Sequence, residues 1–155
     1  MYLSDCAHAS ATFGRDADSG EWAERVARAR ALRLNDARIL LVDDSPDNQL
    51  LFSRILKAAG AQVEIAENGQ QAIDKASLAL SYDLIIMDIR MPIVDGYEAT
   101  RRIRELGFQG PIIALTAHAV VGEEERCRAA GCSDFQLKPI DRYSLLSAAA
   151  RSLGL

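Results

Sequence analysis

Short apolar runs alternate with longer amphipathic segments along most of this chain. The runs have the length and the Ile, Leu and Val content of buried β-strands. They are RILLVD (38–43), QVEIA (62–66), DLIIMD (83–88), PIIALT (111–116) and SDFQL (133–137). Each is followed by a segment of helical length, with turn residues such as Pro46 and Gly60 at helix ends. The pattern predicts five strands that alternate with five helices.

Apolar strands separated by helices are typical of a parallel sheet covered by helices on both faces. Consecutive strands are then joined by right-handed crossovers. The sequence therefore predicts an α/β fold with a doubly wound, five-stranded parallel sheet. In such sheets, ligands bind outside the carboxyl ends of the strands.

The segment before the first predicted strand has a different pattern. Residues 1–17 are small, polar and aperiodic, which indicates little fixed structure. From Asp18, acidic residues come early and arginines late, as the dipole of a helix favours. We predict that residues 1–36 form an N-terminal extension or linker with one helix, and that residues 37–155 form the main domain.

Composition and charge exclude several classes of function. The 155 residues, 49% of them hydrophobic, suffice for one ordinary domain and a short extension. The net charge of −4 gives no general attraction for nucleic acid, so direct nucleic-acid binding is disfavoured. No apolar run approaches the roughly 20 residues that a membrane helix needs, and no signal peptide is evident. We therefore predict a cytoplasmic location and no membrane insertion.

The three cysteines, Cys6, Cys127 and Cys132, are an odd number in a chain that can build its own core. This favours reduced thiols. No cluster of His and Cys completes a zinc site, so packing is the simpler role for these residues.

Five polar side chains fall at the carboxyl ends of the predicted strands. Asp43 and Asp44 end the first strand, Asp88 ends the third, Thr116 ends the fourth and Lys138 follows the fifth. Taken singly, each has a simpler interpretation as a helix-start residue, a turn residue, a strand-end hydroxyl or a solvated charge. Because the carboxyl ends of parallel strands meet at one edge, their joint placement favours a single site.

Three carboxylates in one place repel each other. At about 4 Å, two of them repel by about 4 kcal/mol at an effective dielectric constant near 20, so a cation is needed. Mg²⁺ prefers hard oxygen ligands and keeps positions for water and a phosphoryl group. We therefore predict that Mg²⁺ is the cofactor and that Asp88 pairs with this ion and with Lys138.

Four motifs occur in order along residues 38–153: LLVDDSPDNQ, MDIRMPIVDGYEATRRIR, IIALTAHA and DFQLKPI. With them, the chain resembles the response-regulator receiver domain, the phosphoacceptor module of two-component signalling. It is most similar to receivers attached to hybrid sensor histidine kinases. The resemblance implies a flavodoxin-like fold with strand order 2-1-3-4-5.

The resemblance also implies a role for each site residue. Asp88 would be the nucleophile that accepts a phosphoryl group from a phosphohistidine. Asp44 would bind Mg²⁺ directly, Asp43 would bind it mainly through water, and Arg90 would contribute its carbonyl oxygen. Lys138 would bind a phosphoryl oxygen.

Four residues would switch or tune the site. Thr116 would turn toward the phosphoryl group, and Phe135 would fill the space it leaves. Phe135 has no hydroxyl, so the switch would act through packing alone. Arg90 and His118 stand at positions that tune hydrolysis of the phosphorylated state in the family. His118 has a second interpretation, that of a surface residue without a role.

The implied partners are proteins. A histidine kinase or a histidine phosphotransfer protein would dock at the apolar start of the first helix of the domain, around Leu50, Leu51 and Ile55. A second copy of the chain would form a transient homodimer through the face made by the fourth helix, the fifth strand and the fifth helix. The isolated domain would be no enzyme, apart from catalysing its own phosphorylation and dephosphorylation.

Other functions have less support. A pseudo-receiver, which binds proteins without being phosphorylated, is disfavoured because all five site residues are present. A hydrolase with an aspartyl nucleophile would need a second acid or base two residues after Asp88, where Arg90 stands. Whether the chain is a free-standing regulator or a piece of a hybrid histidine kinase stays open at this point.

Overall fold

A computed structural model describes residues 15–79, 81–118 and 120–155 of the chain. The helices are α1 (Arg15–Ala31), α2 (Pro46–Ala58), α3 (Gly69–Leu78), α4 (Gly96–Glu105), α5 (Glu123–Ala130) and α6 (Arg142–Ser152). The strands are β1 (Arg38–Val42), β2 (Gln62–Ala66), β3 (Leu84–Asp88), β4 (Ile112–Thr116) and β5 (Asp134–Leu137). The predicted alternation of strands and helices is confirmed, with ends that differ by a few residues.

The strands form one sheet in the order β2-β1-β3-β4-β5, and every neighbouring pair is parallel. This confirms the predicted doubly wound, flavodoxin-like fold. All positions of the central strands β3 and β4 are buried, which explains their unbroken apolar sequences. The order along the sheet reverses between β1 and β3, so the carboxyl edge of these two strands is the expected ligand crevice.

Alternate residues of the strands enter two apolar layers, one on each face of the sheet. Leu41, Ile86 and Ile113 pack under α2 and α6. Leu40 and Ile85 pack on the opposite face, under α3, α4 and α5. Because both faces are covered, the polar residues at the strand ends are the natural place for a binding site.

The N-terminal helix packs on the last helix of the domain. Helix α1 begins at Arg15, three residues before the predicted start at Asp18. It contacts α6, and the Arg25 guanidinium lies 4.6 Å from the centre of the Tyr143 ring. Residues 1–14, for which little fixed structure is predicted, lie outside the described residues.

The apolar core also includes a residue of the segment between α1 and β1. Leu34 is fully buried in the layer under α2 and α6, and its backbone N–H donates to the carbonyl of Ala59 at 2.8 Å. Among the helices in the described ranges, none has both the length and the apolar character that crossing a membrane requires.

Candidate functional site

The carboxyl edge of the sheet gathers the polar residues predicted to form a site. Asp88 and Thr116 are the last residues of β3 and β4, and Asp43 directly follows β1. Asp43 and Thr116 are fully buried, and Asp88 is 3% exposed. Burying polar and charged groups costs free energy unless they are paired. This edge must therefore supply partners for the two carboxylates and the hydroxyl.

The three predicted acids do converge. One carboxylate oxygen from each of Asp43, Asp44 and Asp88 lies within 4.8 Å of those from the other two. Asp44 differs from the other two because its side chain is exposed, so solvent reaches the cluster from that side. The oxygens are hard ligands at a spacing that one divalent cation could bridge.

Lys138 directly follows β5, an edge strand of the sheet, and its side chain reaches the acid cluster. Its Nζ lies 3.2 Å from Asp88 Oδ1 and 3.4 Å from Asp43 Oδ2. Its backbone N–H donates to the Thr116 carbonyl at 2.7 Å, and the following bond to Pro139 is cis. The predicted pair of Asp88 and Lys138 is thus present. One ammonium group leaves the three carboxylates with an excess of negative charge.

The pKa of Asp88 is raised from 3.8 to about 6, mainly because burial disfavours the charged form. Lys138 lowers this pKa and Asp43 raises it, while a hydrogen bond from the Arg90 backbone lowers it. At neutral pH the carboxylate therefore remains mostly ionised. It is a poorly solvated anion, as suits a nucleophile or a metal ligand.

The first turn of α2 holds Asp43 in place. Its carboxylate accepts hydrogen bonds from the Ser45 N–H at 2.9 Å and from Asn48 Nδ2 at 3.3 Å. Its carbonyl accepts a bond from Gln49 Nε2 at 2.7 Å. These supporting roles are not evident from the sequence alone. The Ser45 hydroxyl also caps α2 by accepting from the Asn48 N–H, and that three-residue spacing is a recognisable signal.

The predicted switch residues lie on neighbouring strands. The Thr116 hydroxyl accepts a bond from the His118 N–H at 3.2 Å. Phe135 is half-buried on β5, where it pairs with Ala114, while Thr116 pairs with Leu137. Phe135 is therefore two positions away from the sheet partner of Thr116.

The predicted tuning residues lie on the two connections that flank Asp88. Arg90 follows β3 and His118 follows β4, and both side chains are exposed. The Arg90 N–H donates to Asp88 Oδ1 at 3.3 Å. Arg90 is thus two residues after Asp88, and His118 is two residues after Thr116.

Gly96 lets α4 approach the end of β3. A Cβ atom at this position would lie 2.4 Å from the Asp88 carbonyl oxygen, which no side chain tolerates. Its N–H donates to the Ile89 carbonyl at 2.9 Å. The residue fixes the loop around Asp88, a role that the sequence alone did not reveal.

Comparison with known proteins gives one consistent family. Residues 39–150 match the profile of the response regulator receiver domain. Two-component response regulator 24 of Arabidopsis thaliana is 41% identical over 70% of the chain and 78% of its own length. The signal transduction histidine-protein kinase BarA of Escherichia coli is 40% identical, but the chain spans only 12% of that protein.

Solved structures agree with the sequence comparison. The receiver domain of the sensor histidine kinase PA1611 from Pseudomonas aeruginosa is 43% identical, with a TM-score of 0.70, over 77% of this chain and 98% of that one. That structure has a magnesium ion coordinated in its active site cleft. The chemotaxis protein CheY4 of Vibrio cholerae is 33% identical with a TM-score of 0.71, over 76% of this chain and 98% of that one.

Proposed function

Because this chain belongs to the response regulator receiver domain family, we propose that it accepts a phosphoryl group from a phosphohistidine onto Asp88 in a two-component phosphorelay. The observation that carries the proposal is the setting of Asp88. Its buried carboxylate pairs with Lys138 and lies in a cluster with Asp43 and Asp44. Any one of these features occurs widely, but together they fit phosphoryl transfer.

In the proposed reaction, an Asp88 carboxylate oxygen attacks the phosphorus atom of the phosphohistidine. An O–P bond forms and the N–P bond breaks, so Asp88 becomes an acyl phosphate and the imidazole leaves with the electron pair. The Lys138 ammonium, 3.2 Å from Asp88 Oδ1, holds a phosphoryl oxygen as the charge moves. Positioning and charge neutralisation supply most of the catalysis in such transfers.

The residues present fit a Mg²⁺ ion. Asp44 and Asp88 would hold it directly, Asp43 would hold it mainly through water, and the Arg90 carbonyl would complete the protein ligands. The Asp43 carboxylate already accepts hydrogen bonds from Ser45 and Asn48. This supports binding of the ion through water and not directly. When bound, Mg²⁺ would neutralise charge on the phosphoryl oxygens.

Phosphorylation would then change the shape of the domain. The Thr116 hydroxyl would exchange the His118 N–H for a phosphoryl oxygen, and Phe135 would move into the space it leaves. Arg90 and His118 would control access of water to the acyl phosphate. These steps bias the face made by α5, β5 and α6 toward an active arrangement, where a second copy of the chain could bind in a transient homodimer.

The test is transfer from a phosphorylated histidine protein to the purified chain. We expect labelling that requires Mg²⁺ and is lost in Asp88→Asn, which keeps the size of the side chain. Glu98→Gln, which alters a half-buried acid of α4 that pairs with Arg101 and Arg102, is the control and should be labelled normally. Equal labelling of wild type and Asp88→Asn would contradict the proposal. A wild-type chain that binds the kinase and takes no label would favour the pseudo-receiver.

Docking of the donor is predicted to use the start of α2. Leu50 and Leu51 are each 52% exposed beside the crevice, while Ile55 is 8% exposed and packs inward. Leu51→Lys should slow transfer from a histidine phosphotransfer protein about tenfold, equivalent to about 1.4 kcal/mol, because apolar anchors dominate such contacts. Phosphorylation by acetyl phosphate should be unchanged.

Leu78→Lys is the matched control for this docking prediction. Leu78 is 87% exposed at the last position of α3, on the opposite edge of the sheet from Asp88. The substitution should change neither transfer from the phosphotransfer protein nor phosphorylation by acetyl phosphate. If Leu51→Lys slowed acetyl phosphate and the protein donor equally, α2 would have no role in docking.

A further inference from the structure

The first residue of α5 is a glutamate whose side chain turns into the protein. Glu123 is 1% exposed, and it follows Gly122, which has a φ of 89°. The Tyr97 hydroxyl donates a hydrogen bond to Glu123 Oε2. Within the described part of the chain, Glu123 Oε1 is buried and has no hydrogen-bond partner. A buried carboxylate oxygen left in this state is costly, so the residue requires an explanation.

The surroundings keep Tyr97 as a hydrogen-bond donor. Tyr97, the second residue of α4, is 6% exposed, and the Arg126 guanidinium lies 4.4 Å from its ring centre. Burial, with the bond to Glu123, raises the pKa of Tyr97 above its usual range. Burial likewise raises the pKa of the Cys127 thiol, one turn after Glu123. The phenol and the thiol therefore stay protonated at physiological pH.

The pair joins the two connections that border Asp88. On one side, Tyr97 follows Gly96, which packs against the Asp88 backbone at the end of β3. On the other side, Glu123 begins α5 directly after the connection that follows Thr116. Val121 in this connection is fully exposed. Glu123 thus links α5, which follows the exposed residues Val120 and Val121, to Tyr97 on α4.

We propose that the Tyr97–Glu123 contact holds the connection after Thr116 in its resting position and must open when Thr116 turns toward a phosphoryl group on Asp88. The proposal rests on the proposed function and adds two positioning residues to it. Neither residue touches the reacting atoms. They act through the free-energy difference between the resting and the active arrangement.

Two opposing effects set that difference. The closed contact has the Tyr97 hydrogen bond but leaves Glu123 Oε1 without a partner. Opening the contact breaks the bond and returns the carboxylate to water, which solvates both oxygens. Substitutions can therefore shift the equilibrium in either direction, and a residue that only supports the fold would not behave in this way.

Two variants should change the rate of phosphorylation in opposite directions. Tyr97→Phe keeps the ring but leaves both Glu123 oxygens unpartnered in the closed state. It should raise the rate of phosphorylation by acetyl phosphate about threefold or more, because the active arrangement becomes more populated. The double variant Tyr97→Phe with Glu123→Met replaces the polar pair by an apolar pair of similar volume. It should lower the rate by a similar factor and raise the thermal unfolding midpoint.

Glu124→Gln is the matched control, because Glu124 is the exposed neighbour that pairs with Arg128 on the surface of α5. Its rate should equal that of the wild type. The proposal is overturned if the single and the double variant change the rate in the same direction, or if neither changes it while the wild type is labelled. A wild-type protein that takes no label from any donor would overturn both proposals.

Discussion

Substituting Lys138 with alanine is expected to slow phosphorylation of Asp88 by about a hundredfold, the usual cost of losing one donor aimed at developing charge. Lys138 Nζ lies within 3.4 Å of both buried carboxylates, Asp43 and Asp88. Among the described side chains it is the one cation in contact with either of them. Without it, the incoming phosphoryl oxygens would meet three acids and no ammonium group.

The measurement is the initial rate with acetyl phosphate at saturating Mg²⁺, so that metal affinity does not limit the reaction. Lys57→Ala, at the exposed end of α2, is the control for loss of a positive charge. Because Lys138 lowers the pKa of Asp88, the variant should also need a higher pH to reach its full rate. A rate within a factor of about two of the wild type would exclude a role for Lys138 in binding the phosphoryl group.

Asp88→Asn is expected to stabilise the fold at neutral pH, by about 1 to 2 kcal/mol after allowance for solvent screening. The pKa of Asp88 rises from its usual value of 3.8, which applies to the unfolded chain, to about 6 in the folded protein. The folded state therefore binds a proton more tightly than the unfolded state, and stability falls as pH rises between these two values. Asparagine removes this loss, while Lys138 keeps Asp43 as its partner.

The gain should be largest above pH 6, about half as large at pH 5 and about a fifth as large at pH 4, because the unfolded carboxyl is then partly protonated as well. Urea unfolding of both proteins in the presence of a chelator measures it. Asp74→Asn, an exposed acid on α3, should have little effect at any of these pH values. A gain that stays the same from pH 4 to pH 7 would mean that packing, and not the charge of Asp88, causes it.

The sequence predicts the sheet and the acid cluster for the same reason. Buried parallel strands need unbroken apolar runs, so the polar residues that end them, such as Asp88 and Thr116, mark one edge. Family resemblance adds the strand order and the roles. The pair between Lys138 and Asp88 follows from that edge, and the structure has it at 3.2 Å.

Other features depend on contacts that periodicity cannot reveal. Glu123 at the start of a helix is expected to face water, and its burial follows from a tyrosine on another helix. The packing of α1 on α6 brings together Arg25 and the Tyr143 ring, which are far apart in sequence. Leu34 looks like part of a linker, although it is fully buried.

The most direct test of the proposed function is to locate the phosphoryl group chemically. Borohydride reduces an acyl phosphate to an alcohol, so a phosphorylated aspartate becomes homoserine, which mass spectrometry of peptides can place. We expect homoserine at position 88 alone, after incubation with a phosphorylated histidine protein and Mg²⁺, and none in the presence of chelator. Homoserine at position 43 or 44, or an unmodified Asp88 in a protein that carries label, would contradict it.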